Sequence, residues 1–156
     1  MKLVLLSTYL GIFLISLINH SFASINVPKF KRFICKIDME KIKINQLMLD
    51  IADSEEKRSF GLMNRKKINS NSGMIFLWKD SKIRSFWMKN TYFNLDLFFL
   101  NSEGIIVEIY KNAKAQDETY ISSKNKVKYV IELKSGEHDF NVGDRLRSHD
   151  QWGSTQ

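Results

Sequence analysis

Leu95-Asp96-Leu97-Phe98-Phe99-Leu100-Asn101-Ser102-Glu103-Gly104-Ile105-Ile106-Val107-Glu108-Ile109-Tyr110 decides the fold. A strongly apolar segment, four turn-forming residues and a second apolar segment read as a β-hairpin with a four-residue loop. In the first arm Leu95, Leu97 and Phe99 face one way, and Asp96 faces the other way with Phe98 and Leu100. Outward from this hairpin the same reading recurs. Strands are expected at Arg32 to Met39, Ile42 to Ile51, Met74 to Trp78, Ile83 to Lys89, Val127 to Leu133 and Arg145 to Arg147. A turn is expected at Lys79-Asp80-Ser81-Lys82, and the polar run Lys111 to Lys126 reads as a long surface loop. One helix interrupts the series, from about Ser54 to Met63. Asp53 and Glu56 resemble a capping box, and Glu55-Glu56 place negative charge in its first turn. Eight short strands and one helix without a repeating βαβ rhythm predict a mainly β (α+β) domain. The expected form is a compact antiparallel β-barrel or sandwich with a short helix at one end.

Composition narrows the function. The chain has 156 residues, 24 Lys+Arg against 17 Asp+Glu, one Cys, one Pro and three His. That is globular composition at single-domain length. One cysteine excludes a disulfide scaffold, and so few Cys and His exclude the common structural zinc sites, so no metal or cofactor is expected. Phosphate-loop, dinucleotide, nucleophile-elbow and zinc-protease strings are absent from the sequence. The net charge of +7 comes without an RNA-binding aromatic motif, so nucleic acid is not an expected partner. A solvated lysine surface accounts for the excess, with an anionic membrane surface as the second reading.

The N-terminus reads as an export signal. Lys2 precedes an uncharged apolar run from Leu3 to Ile18, and Ser21-Phe22-Ala23 carries small residues at the positions a signal peptidase reads. Cleavage after Ala23 is expected, with a periplasmic or secreted destination. The alternative is an inner-membrane anchor formed by residues 3–18, a run shorter than the roughly 20 residues that normally span a bilayer. Residues 24–31 then form a linker, 32–147 a single β-barrel-like domain, expected to be monomeric, and 148–156 a flexible tail. Cys35 shares parity with Phe33 and Ile37 and is expected to be buried. His138 and His149 fall in expected loops, without partners at ligand spacing.

Three strings carry a family resemblance: Arg58-x-x-Gly61-Leu62-Met63-x-Arg65, Gly73-Met74-Ile75-Phe76, and Phe86-Trp87-Met88-Lys89-Asn90-Thr91 followed by Leu95-Asp96-Leu97. With Val130-Ile131-Glu132-Leu133, Gly136 and Gly143-Asp144 they resemble the family known as domain of unknown function 192, found in bacteria and archaea. The resemblance runs from about Lys43 to Arg147. It implies a compact β-barrel-like fold and carries no established activity. The family usually has proline before the Leu-Asp step, where this chain has Asn94.

Two carboxylates on strands need partners. Asp96 sits among apolar neighbours, and Glu132 shares a strand face with Val130 and Lys128, while Arg58, Arg65 and Lys89 are the cations at hand. Together they would form either structural ion pairs or a cleft in which a carboxyl with a raised pKa acts as a general acid. Trp87 with Lys89 would offer a stacking and charge platform to a sugar or other planar ligand. Asn90 and Thr91 are expected to hydrogen-bond the turn that follows. The leading expectation is a non-catalytic module of the cell envelope that binds a ligand or partner. Its site is drawn from Arg58, Arg65, Trp87, Lys89, Asn90, Asp96 and Glu132. The alternative is a small hydrolase- or lyase-type enzyme using Asp96 and Glu132 as a carboxylate pair.

Overall fold

The computed structural model describes the backbone of residues 26–38 and 45–148 and the side chains of 26–32 and 46–146. The expected leader, the burial of Cys35, His149 and the tail lie outside those residues. The elements are β1 (Lys31–Asp38), β2 (Asn45–Ala52), α1 (Glu55–Phe60), β3 (Ser72–Lys82), β4 (Ser85–Phe86), β5 (Leu95–Leu100), β6 (Ile106–Ala113), β7 (Ile121–Ser122), β8 (Val127–Lys134) and β9 (Arg145–Ser148). Seven strands make one sheet in the order β6-β5-β8-β3-β2-β1-β9, and β4 with β7 makes a two-stranded ribbon.

The fold is mainly β with one short helix, as expected, but the sheet is mixed rather than antiparallel. β2 and β3 run parallel, and a parallel neighbour needs a crossover, which α1 and the segment after it supply. A bridge between Ile105 and Arg145, with Leu146 N–H donating to Gly104 O and Ile106 N–H to Asp144 O, brings the two edges together at one corner. The sheet is therefore curled and sandwich-like, not a closed barrel.

Alternation along the strands produces two apolar layers. Leu47, Leu49, Ile75, Phe98, Leu100, Ile131 and Leu133 fill the inside of the curl. Ala52, Leu62, Met74, Phe76, Leu95, Leu97, Phe99 and Val130 fill the other face, beneath α1. All six residues of β5 are buried because layers cover both of its sides. Gly73 marks the tightest approach. A β-carbon there would lie 2.1 Å from the Glu132 carbonyl oxygen and 2.6 Å from Leu133 Cδ2.

Several local boundaries differ from the expectation. The helix cap is Ser54, whose Oγ accepts from Lys57 N–H, because Asp53 is engaged by the Lys57 ammonium one turn on, at 2.6 Å. The helix ends at Phe60, three residues before the expected Met63, and Gly61 caps it at φ 52°. β3 runs straight through the expected turn at Lys79 to Lys82, held against β8 by a pairing of Lys82 with Val127 beyond a register shift. The expected strand over Ile83 to Lys89 shrinks to Ser85–Phe86. β6 continues to Ala113, so Lys111 belongs to a strand, and the expected loop contains β7.

Candidate functional site

Strand register sets which charged groups can meet. Asp50 pairs with Met74, Met74 with Glu132 and Glu132 with Leu97, so these four residues form a row across the α1 face. Asp96 pairs with Leu133 and therefore points into the curl. Asp96 and Glu132, expected as a pair, lie on opposite faces of one sheet. The one-residue offset between their strand positions is enough to separate them.

Asp96 is 2% exposed and saturated. Its Oδ1 accepts from Asn112 N–H at 2.8 Å and from Ser135 Oγ at 2.8 Å. Its Oδ2 accepts from Lys111 Nζ at 3.1 Å and from Gly136 N–H at 3.3 Å. Burial pushes this carboxyl up, but the hydrogen bonds from Asn112, Ser135, Gly136 and Lys111 outweigh it, and the net shift is downward. Lys111 also donates to His138 O at 2.9 Å. The carboxylate thus ties β5, β6 and the turn after β8 together. Its cation is Lys111, not Arg58, Arg65 or Lys89.

Glu132 has the opposite environment. It is 4% exposed, and burial pushes its carboxyl up to about 8, opposed by the positive charge of Arg65. No hydrogen bond from a described residue reaches the carboxyl. It lines a cavity of about 30 Å³ with Arg58, Gly61, Phe76, Phe86, Trp87 and Thr91, room for a water or the tip of a ligand. Gly61, with its positive φ, brings the chain over Phe76 and roofs this space; a β-carbon at Gly61 would stand 3.5 Å from the ring. At neutral pH the carboxyl is largely protonated, so it can both donate and accept. Chemically, it can hold a hydroxyl or amide, or give up a proton.

The remaining expected residues are distributed around this face. Arg58 NH1 donates to Leu77 O at 2.9 Å, and its guanidinium lies 5.4 Å from the Trp78 ring centre. Arg65 NH1 pairs with Asp50 Oδ2 at 2.8 Å, and Arg32 Nε reaches Asp50 Oδ1 at 3.3 Å. Trp87 is half-buried and stacks on Tyr120, centroids 5.8 Å apart and planes 5° from parallel, with Lys89 Nζ 4.9 Å from its ring centre. Trp87 and Lys89 come together, though in a turn rather than on a strand: Thr91 N–H donates to Met88 O, and Met88 N–H to Asp117 O. Asn90 is exposed at the tip of that turn with φ 51°, where its carbonyl accepts from Asn64 N–H. Arg58, Trp87 and Glu132 line one cavity; Arg65, Lys89 and Asn90 lie outside its lining, and Asp96 lies across the sheet.

Sequence reasoning missed Asp50, Arg32 and Lys111. Asp50 was findable: in Leu47-Met48-Leu49-Asp50-Ile51 it is a lone acid in an alternating strand, the signal that singled out Asp96. Thr91, expected to hydrogen-bond the turn that follows, is buried, and its Oγ1 donates to Lys89 O in the turn before it.

No curated protein matches. A crystal structure from Sinorhizobium meliloti 1021, described as "a putative transcription regulator", is 30% identical, with a TM-score of 0.75 over 78% of this chain and 97% of that one. A protein of unknown function from Novosphingobium aromaticivorans DSM 12444 shares the fold at 23% identity, with a TM-score of 0.70 over 78% of this chain and 89% of that one. The DUF192 profile, described as uncharacterized ACR, matches residues 36–148. On that match this chain belongs to the DUF192 family.

Proposed function

We propose that this protein is a ligand-binding module of the cell envelope and that it holds the polar end of a small ligand at Glu132. One observation carries the reading: a carboxyl buried on the α1 face, with no hydrogen-bond partner among the described residues, faces a cavity bordered by Arg58, Trp87 and Thr91. The carboxyl oxygens are not among the sealed, unpartnered polar atoms of the described residues, so they are open to the cavity, and a bound hydroxyl or amide can take the place of water there. The aromatic rings of Phe76, Phe86 and Trp87 in the cavity lining suit the C–H surface of a sugar or polyol. Export rests on Lys2, the apolar run and Ala23.

A second reading has one specific observation behind it. A carboxyl raised to about 8 holds its proton at neutral pH, as the general acid of a hydrolase or lyase does. Asp96 cannot serve as its partner from the opposite face, so Glu132 would act alone.

Thermal-shift titration with monosaccharides, polyols and short amides tests the binding reading, comparing the wild type with Glu132→Gln and Arg58→Ala. A compound that raises the wild-type midpoint, with a weakened response in both variants, is the expected result. If every responding compound acts equally on all three proteins, the cavity is not the site. If a compound binds the wild type and Glu132→Gln alike, yet only the wild type turns it over, the enzyme reading replaces the binding one.

A further inference from the structure

A second cavity lies on the same sheet face, at the other end of the Asp50–Met74–Glu132 row. It measures about 240 Å³ and is bordered by Arg32, Met48, Asp50, Arg65, Lys67, Ile68, Asn69, Ser72 and Gly73. Three of those residues are cationic, and Asp50 is the sole carboxylate among them. Asp50, 7% exposed, accepts from both guanidiniums, through Arg65 NH1 and Arg32 Nε. A guanidinium carries five N–H donors, and these contacts use one on each arginine. Arg65 is further fixed by the Phe30 ring, 5.5 Å from its guanidinium carbon. Lys67 has no carboxylate partner among the described residues. The wall therefore presents a net positive charge, with Arg65 fixed by Asp50 and Phe30 before any ligand arrives and the more exposed Arg32 tied to the same carboxylate through one nitrogen.

We propose that this cavity is an oxyanion-binding site for a small carboxylate or phosphate ester, with Arg32, Arg65 and Lys67 as the binding groups and Asp50 as their positioning residue. The lining also says what the anion is attached to. Met48, 40% exposed, and Ile68 give the cavity an apolar side, and its volume exceeds what a bare ion needs. The ligand therefore joins a charged head to a short apolar group. Two sources share that chemistry, a soluble organic acid or phosphate ester and an anionic lipid headgroup. This site goes beyond the Glu132 cavity and does not depend on it.

The test titrates the full chain calorimetrically with inorganic phosphate and with butyrate, and compares its sedimentation with phosphatidylglycerol and with phosphatidylcholine vesicles. Lys67→Ala and Arg32→Ala remove exposed cations of the site without emptying the core. Lys79→Ala removes the same charge from an exposed position elsewhere. Each site variant is expected to weaken oxyanion binding about tenfold, the loss of one charge-assisted hydrogen bond, while Lys79→Ala leaves it unchanged. A response to butyrate or phosphate identifies a soluble source. A response confined to phosphatidylglycerol identifies a lipid headgroup. Binding that is absent from every arm, or equally sensitive to Lys79→Ala, overturns the proposal.

Discussion

Replacing Glu132 by Gln should stabilise the protein, and by an amount that depends on pH. The side chains have nearly the same shape, but only the carboxyl ionises. In the unfolded chain it titrates near 4.5, and in the folded protein near 8. Below pH 4.5 both states are protonated and burial carries no ionisation penalty. Between 4.5 and 8 the unfolded state loses its proton first, so wild-type stability falls by about 1.4 kcal/mol per pH unit. Above 8 both states are ionised and the full penalty, about 5 kcal/mol, is present. Burial, the first cause of the shift, sets the sign, and the positive Arg65 moderates it. Glu132→Gln escapes this penalty. Its advantage over the wild type should be negligible at pH 4, reach about 3 kcal/mol at pH 7 and level off above pH 8. Urea unfolding of both proteins across that range measures it. Taking the difference matters, because His138, whose pKa burial lowers, gives a slope of opposite sign below pH 6.5 that cancels between the two. A flat difference, or one that favours the wild type at high pH, would refute the picture of Glu132 as a buried acid that no described residue hydrogen-bonds.

Asp96→Asn should cost about 2–3 kcal/mol in urea unfolding at pH 7, since four donors then face an amide instead of a carboxylate. Because the Asp96 carboxyl lies below its ordinary value in the folded protein, the stability it lends is present above pH 3.8. It drains away as pH falls below that, and the wild type but not the variant should show this acid limb. Gly73→Ala should lower stability by about 3 kcal/mol or more, because the added carbon would meet the backbone of β8 at 2.1 Å. Thermal unfolding followed by circular dichroism reads it, and a near-normal midpoint would show that β3 and β8 can separate there.

Much of the fold could be read from the chain because its strands obey one rule. Leu95–Leu100 matched its expected bounds, and the opposite orientations of Asp96 and Phe99 were correct from parity alone. Parity within each strand could not say that Asp96 and Glu132 diverge. The missing ingredient was register, which depends on how β5 and β8 align and not on either strand alone. The parallel pairing of β2 with β3 was hidden for a related reason: nothing in Asn45–Ala52 or Ser72–Lys82 states which neighbour each will take. Local competition hid the rest. Asp53 looks like a cap until Lys57 claims it, and the polarity of Lys111 and Asn112 concealed the end of a strand that exists to serve Asp96. Glu132 was legible as an acid in an apolar setting, but its lack of a partner among the described residues was not.

Strand order also has a consequence for biosynthesis. β9, ending at Ser148, lies beside β1, which begins at Lys31, so the outermost pairing joins the first and last of the described strands. A ribosome must release nearly the whole polypeptide before that seam can close, and contacts so distant along the chain form slowly. Until then β1 has β2 on one side only, and its other edge stays open to pairing with any strand it meets.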